Sequence, residues 1–231
     1  MATQEEKFIQ MTQKPIGKTI SRLAVPCIIS MLVTSFYNMA DTFFVGMLKD
    51  NAATGAVGVV YSMMAIIQAI GFFFGQGSGN YISRMLGAKR YDEAETMAAT
   101  GFFSALGFGV IICIVGQIFL EPLSYLLGST DTILPLTKDY LRVILLGAPW
   151  MAASLVLNNQ LRFQGSAAYG MVGIVSGAVL NIILDPIFIY TMNLGISGAA
   201  IATLISQFIS FLILLSWFLR RKTICKISVK Y

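Results

Sequence analysis

Six long apolar runs constrain this chain more than any other feature. They lie at about residues 20–48, 54–82, 95–119, 133–157, 167–190 and 196–219. Each is near the ~20 residues that a helix needs to cross a bilayer. Hydrocarbon offers no partner for a peptide group, so a spanning run satisfies its N–H and C=O groups internally as a helix. The expectation is an all-α membrane protein, a six-transmembrane-helix bundle. Composition agrees: 12% of residues are charged, against about 25% in an ordinary soluble domain, and the mean hydropathy is +0.75.

The runs divide the chain into a polar lead (1–19), the bundle (20–219) and a tail (220–231) that opens with Arg220-Arg221-Lys222. The lead is polar and the first run is too long for an h-region, which argues against a cleavable signal peptide. The 48–53 and 191–197 connectors are short. The 84–95 loop is charged, the 120–131 connector holds Pro122 and Gly128, and the 158–167 connector holds Arg162 and Gly165. Lead, 84–95 loop, 158–167 loop and tail share one side. They carry Lys7, Lys14, Lys18, Arg22, Arg84, Lys89, Arg90, Arg162, Arg220, Arg221, Lys222, Lys226 and Lys230. The other side has Lys49, with Lys138 and Arg142 near the fourth span. By the positive-inside rule both termini are cytoplasmic, which an even number of spans allows.

Several function classes drop out. The net charge of +5 comes from segments flanking the spans, with no basic face interleaved with aromatics, so a nucleic-acid partner is not indicated. Cys27, Cys113 and Cys225 are too far apart for a disulfide framework or a metal spacing. The chain has no histidine, which removes histidine catalysis, ligation and proton relay together. Gly75-Gln76-Gly77-Ser78-Gly79 fits neither nucleotide fingerprint. Gly71, Gly75 and Gly79 recur every four residues, as do Gly173 and Gly177, which reads as close helix packing in lipid. No strong internal repeat appears.

The chemistry lies in a few polar residues inside the runs. Asp185 is the only charge between Met171 and Tyr190, and a carboxylate there costs about 2.5–3.5 kcal/mol on insertion scales. Asn181, four residues earlier, shares its helical face. Pro186 has no N–H and frees the carbonyl of Ile182. One turn therefore offers a carboxylate, an amide oxygen and a backbone oxygen, a seat for a proton or a small cation.

Asp41 is the second intramembrane acid, with Tyr37 and Asn38 on its stripe. Pro26 should bend the same span by freeing the Arg22 carbonyl. Two such acids face the bundle interior or a wet cavity, or else each is bonded locally and simply ties helices together. If they approach, they titrate as a pair, and burial plus like charge favours holding one proton that a cation can replace. Thr203, four before Gln207, either binds its own i−4 carbonyl or serves as a ligand. Tyr140 has the position of an interfacial belt residue. Asp139 should pair with Lys138 or Arg142, Asn158 and Asn159 read as loop caps, and Pro149 should bend the fourth span. Most Met and Phe side chains should face lipid or fill the bundle, though a cavity lined by them suits apolar cations.

Together these residues resemble the multidrug and toxic compound extrusion (MATE) family. The matches are Pro26 with Asp41-Thr42-Phe43-Phe44-Val45-Gly46, Gln76-Gly77 through Leu86-Gly87-Ala88, Leu161-Arg162-Phe163-Gln164-Gly165, and Asn181-Ile182-Ile183-Leu184-Asp185-Pro186 through Leu194-Gly195 to Thr203. The acidic first span plus the Asn–Asp pair looks most like the DinF-like branch. The resemblance implies one six-helix lobe of a twelve-helix transporter, not an enzyme. Asp41, Asn181, Asp185 and Thr203 would form its cation or proton site, with Tyr37 and Tyr140 nearby and Pro26 where the first span bends. It further implies a proton- or sodium-coupled antiporter with no cofactor, exporting amphipathic organic cations across a bacterial or archaeal plasma membrane by alternating access. The partners are the bilayer, the drug, and a C-terminal lobe or a second copy.

Two other readings compete. A lipid-linked sugar flippase of the same superfamily would line its cavity with basic residues, which this lobe is expected to lack. An intramembrane aspartyl protease also uses two acids, but the local pairs here are Ala40-Asp41 and Leu184-Asp185, without that family's signature.

Overall fold

Each apolar run forms one long helix. The computed structural model describes residues 15–48 and 50–219. Lys7, Lys14, Lys49, Cys225 and the basic tail residues lie outside the described residues, as do most of the lead and the whole 220–231 segment.

In chain order the helices are α1 (Ile16–Gly46), α2 (Asn51–Gly87), α3 (Tyr91–Ile118), α4 (Leu120–Leu126), α5 (Leu134–Phe163), α6 (Ala167–Pro186) and α7 (Gly195–Leu219). A π-helical turn, Ile187–Thr191, follows α6. All but α4 are long and apolar enough to cross a membrane, α6 together with its π turn. The sequence reading thus placed every span and missed α4, whose seven residues sit in the 120–131 connector.

The helices overrun the apolar runs because polar ends continue the backbone ladder. Asp50 caps α2 by accepting the Ala52 N–H at 2.9 Å. Asp92 and Glu93 occupy the first turn of α3, where negative charge favours the helix dipole. At 37 residues, α2 is about 55 Å long, so its ends stand outside the hydrocarbon. The 158–167 connector shrinks correspondingly: Asn158, Asn159 and Arg162 are the last turns of α5 rather than loop caps.

The centre of the bundle is α5, 72% of whose apolar window is buried, against 11% for α1. Its neighbours are α2, α3 and α7, whereas α1 leans chiefly on α6. The helix continues through Pro149, and α3 meets it there through Gly109, where an added Cβ would lie 2.5 Å from the Pro149 Cα. The glycine stripes behave as read. A Cβ at Gly71 or Gly75 would press on Leu155 or Asn159 at 2.9 Å, and one at Gly177 would stand 2.8 Å from Ser210. Because α6 and α7 approach this closely, the Ser210 hydroxyl donates to the Gly173 carbonyl at 2.8 Å. Outward-facing Phe36, Met39, Phe43 and Phe73 are exposed, as expected for side chains that meet lipid or another lobe.

On the 120–131 side, Lys138 pairs with Glu121 at 2.8 Å, so the expected Lys138–Asp139 pair does not form. Nor does an Asp139–Arg142 pair appear among the described residues.

The α3–α5 contact leads to a prediction. Gly109→Ala should lower stability by about 1–3 kcal/mol, because backbone rather than a movable side chain blocks the new methyl. Gly107→Ala, two residues away with nothing within 4 Å, should leave it nearly unchanged. Thermal unfolding of the detergent-solubilised chain checks this, and equal midpoints for the two variants would contradict the packing described.

Candidate functional site: a carboxyl pair inside the bundle

The site begins where α6 ends. Pro186 cannot donate to the Ile182 carbonyl, and the ladder changes register beyond it. The Ile187 N–H turns to Leu184, an i−3 bond, and the Met192 N–H reaches Ile187 at 2.9 Å, an i−5 bond. A π turn of this kind often marks a functional site. It also aims Tyr190 at α1, where its hydroxyl donates to the Phe44 carbonyl at 2.5 Å. A Cβ at Gly198 would lie 2.7 Å from the Phe188 carbonyl, so only a bare backbone lets α7 start this close to the turn.

One helical turn before Pro186, the predicted face forms. Asp185 is 0% exposed, Asn181 2% and Thr203 2%. The Asn181 amide donates to Asp185 Oδ1 at 3.2 Å and lies 3.3 Å from Thr203 Oγ1. Thr203 Oγ1 thus accepts from another helix, α6. Asp185 Oδ2 and Asn181 Oδ1 are buried without a hydrogen-bond partner.

Asp41 approaches from α1. It lines a small cavity of about 40 Å³ with Tyr37, Asn38, Tyr61, Tyr140 and Thr203 among its walls. Its Oδ1 is also buried without a partner. Tyr140 is 1% exposed. The belt position is therefore corrected: the residue points inward, because α5 is the central helix. Tyr140 lines the cavity together with Asp41 and Thr203. Asp185 does not line this cavity. Thr203 is the shared element, facing Asp41's cavity on one side and bonded to Asn181 on the other. Three carboxyl or amide oxygens, of Asp41, Asn181 and Asp185, are thus buried without a partner, with Thr203 between them. No lysine or arginine forms an ion pair with either acid among the described residues.

Pro26 lies inside a continuous α1. The Ser30 hydroxyl takes the Pro26 carbonyl and the Thr34 hydroxyl takes the Ser30 carbonyl, each at 2.8 Å. A proline followed by hydroxyls bonded back along the helix is a local weakening of the ladder.

A second cavity, of about 350 Å³, opens beside the first. Ser30, Thr34 and Asn38 line it from α1, Gln68 from α2, Ser154, Asn158 and Arg162 from α5, and Gln207 and Ser210 from α7. The chamber has no acidic lining and one basic residue. Arg162 therefore qualifies the expectation that this lobe holds no basic cavity residue. Reading the sequence did not find this chamber. The available signal was the polar stripe Ser30, Thr34, Asn38 in an apolar run, together with Gln68 near the middle of another.

A removed amide should matter more than a removed hydroxyl here. Asn181→Leu leaves a buried carboxyl without its donor, at a cost of about 1–3 kcal/mol, whereas Thr203→Val removes one acceptor of a long bond, about 0.5–1.5 kcal/mol. Chemical or thermal unfolding of both variants in detergent ranks them. The reverse order would show that the Asn181 bond is not what holds Asp185.

Comparison with known proteins places this geometry. The MatE family profile matches residues 26–187. The multidrug export protein MepA of Staphylococcus aureus is 30% identical over 226 residues, 98% of this chain and 50% of that protein. A crystal structure of MATE in the bent conformation superposes with a TM-score of 0.89 at 34% identity, covering 97% of this chain and 50% of that one. A MOP superfamily transporter from Pyrococcus furiosus, described as having a binding pocket of reversed polarity, gives 0.90 at 34% identity with the same coverage. The chain thus spans about half the length of the proteins it matches, and its six apolar helices make it a multi-pass membrane protein.

Proposed function

Because the chain belongs to the MatE family, we propose that it forms the N-terminal six-helix lobe of a proton- or sodium-coupled exporter of amphipathic organic cations. The observation that carries this reading is the set of buried, unpartnered oxygens on Asp41, Asn181 and Asp185. Buried carboxylates without a basic partner are costly. Their compensating charge has to come from a bound proton or cation. Asp41 and Asp185 then hold the coupling ion, Asn181 and Thr203 orient it, and Tyr37 and Tyr140 close the site. No cofactor is needed.

The mechanism follows from where the two acids sit. Asp185 is on the α6–α7 pair, locked by Gly173, Gly177 and Ser210. Asp41 is on α1, the least buried helix, above Pro26 and its back-bonded hydroxyls. Loading the pair changes the attraction of α1 for the rest of the lobe, and α1 yields near Pro26 while the π turn after Pro186 absorbs the outer end. Alternating access against a second lobe or a second copy turns that change into export. The described basic residues support cytoplasmic termini in a plasma membrane: Lys18, Arg22, Arg84, Lys89, Arg90 and Arg162 lie toward one face, with Lys138 and Arg142 toward the other.

Ion-linked stability tests the site. For the wild-type chain in detergent, sodium or acid should raise the unfolding free energy by about 2.7 kcal/mol at a hundredfold excess over the dissociation constant. Asp41→Asn and Asp185→Asn should each flatten most of that dependence. A wild-type-like response in both variants would remove the ion site from these residues.

A further inference from the structure

The larger chamber has a charge and a direction. Its α5 lining runs from Met151 to Arg162, a stretch of about 16 Å at 1.5 Å per residue. Toward the Asp41 cavity stand Tyr37 and Tyr61, which wall both spaces. At the other end α5 finishes and α6 begins. Arg162 is in the last turn of α5, and Ala167, the first residue of α6, lines the chamber as well.

Arg162 is held there rather than loose. Its guanidinium donates to Asn159 Oδ1 at 2.5 Å, while the Asn159 amide donates back to the Leu155 carbonyl at 2.8 Å. A guanidinium carries five N–H donors in a fork that matches a carboxylate. Among the described residues Asn159 is its one hydrogen-bond partner, and no carboxylate pairs with it. Asn158, one turn before Arg162 on the same face, lies against the first turn of α6, since a Cβ at Gly170 would stand 2.6 Å from its Nδ2. That turn is the positive end of the α6 dipole, which adds to the pull on an anion.

We propose that this end of the chamber is an anion subsite, where Arg162 with Asn158 beside it takes the carboxylate of an amphipathic ligand whose body fills the chamber. The inference rests on reading the lobe as part of an exporter of amphipathic cations, and narrows its substrates to those that also carry a carboxylate. Size separates the two spaces. The Asp41 cavity, of about 40 Å³, holds no more than an ion or a water, whereas about 350 Å³ is within the range of small-molecule sites. Charge then selects. No acid lines the chamber, so a ligand that is only a cation meets repulsion from Arg162 and no opposing carboxylate. A ligand with both charges sets its anion on the guanidinium and its cation toward the ring faces of Tyr37 and Tyr61.

A rhodamine with a free carboxylate and its methyl ester share one cationic ring system and differ only in the anion. Binding of both to the full chain in detergent is followed by fluorescence polarisation at one pH. The wild type should hold the free carboxylate about tenfold more tightly than the ester, the low end for hydrogen bonds to charged groups. Arg162→Gln should bring the ratio close to one. Arg162→Lys, which keeps the charge and loses the fork, should retain part of it. The ratio is the readout because a change in packing alone weakens both compounds alike. Where Arg162→Gln does not fold, acetate replacing chloride at constant ionic strength serves: it should weaken the carboxylate compound in the wild type and leave the ester unchanged. Equal affinities in the wild type, binding of neither compound, or a ratio that survives Arg162→Gln overturns the subsite. An ester bound as tightly as the acid leaves the cation-exporter reading standing. The ion site is read separately, from the sodium and proton dependence of unfolding, which fails or holds on Asp41 and Asp185 whatever the ratio at Arg162.

Discussion

A carboxyl buried in a membrane span has to be compensated, and among the described residues no lysine or arginine pairs with Asp41 or Asp185. That single deficit organises the structure. Asn181 supplies one donor to Asp185 and no more. Tyr140 and Thr203 gather around Asp41 without satisfying Oδ1. A purely structural pair of acids would be fully bonded, because a half-satisfied buried network is worse than an apolar core. On the proposed reading, the remaining oxygens are where an ion or proton is held.

The packing around this deficit is uneven in a useful way. Glycines at 71, 75, 173 and 177 bring α2 onto α5 and α6 onto α7 at distances that exclude any side chain, which makes those contacts stiff. No comparable stripe ties α1 down. It is held through α6 and, at its C-terminal end, by the Tyr190 hydroxyl on the Phe44 carbonyl. The same π turn that follows Asp185 provides that tyrosine. One carboxyl thus sits on the tightly packed part of the lobe and the other on its least buried span, with a turn of irregular backbone between α6 and α7 reaching α1. A transporter needs just such a pairing of a fixed reference and a movable element.

The spans were legible because hydropathy and length decide them almost alone, and the glycine stripes because a four-residue repeat has one simple meaning in lipid. Asp41, Asn181 and Asp185 stood out because polar residues in apolar runs are few. Tyr140 was legible only through family resemblance; its apparent place at the end of a span suggested an interface, and nothing local says that α5 is the central helix. Helix α4 was missed because seven residues are too short for periodicity, and Pro122 and Gly128 read as loop. The Asn158–Arg162 segment was misjudged because polar residues after an apolar run look like a boundary, whereas here they line a chamber. The chamber depends on five helices meeting, which no single stretch of sequence encodes.

The central claim is that Asp41 and Asp185 act as one site rather than two, and a double-mutant cycle on ion-linked stability tests it most directly. Sodium and proton dependence of unfolding would be measured for the wild type, Asp41→Asn, Asp185→Asn and the double variant under the same conditions. If the two acids share one ion, either substitution alone removes most of the dependence and the second removes little more, leaving a coupling energy of about 0.5–3 kcal/mol. Strictly additive losses, each acid contributing its own independent share, would contradict the account.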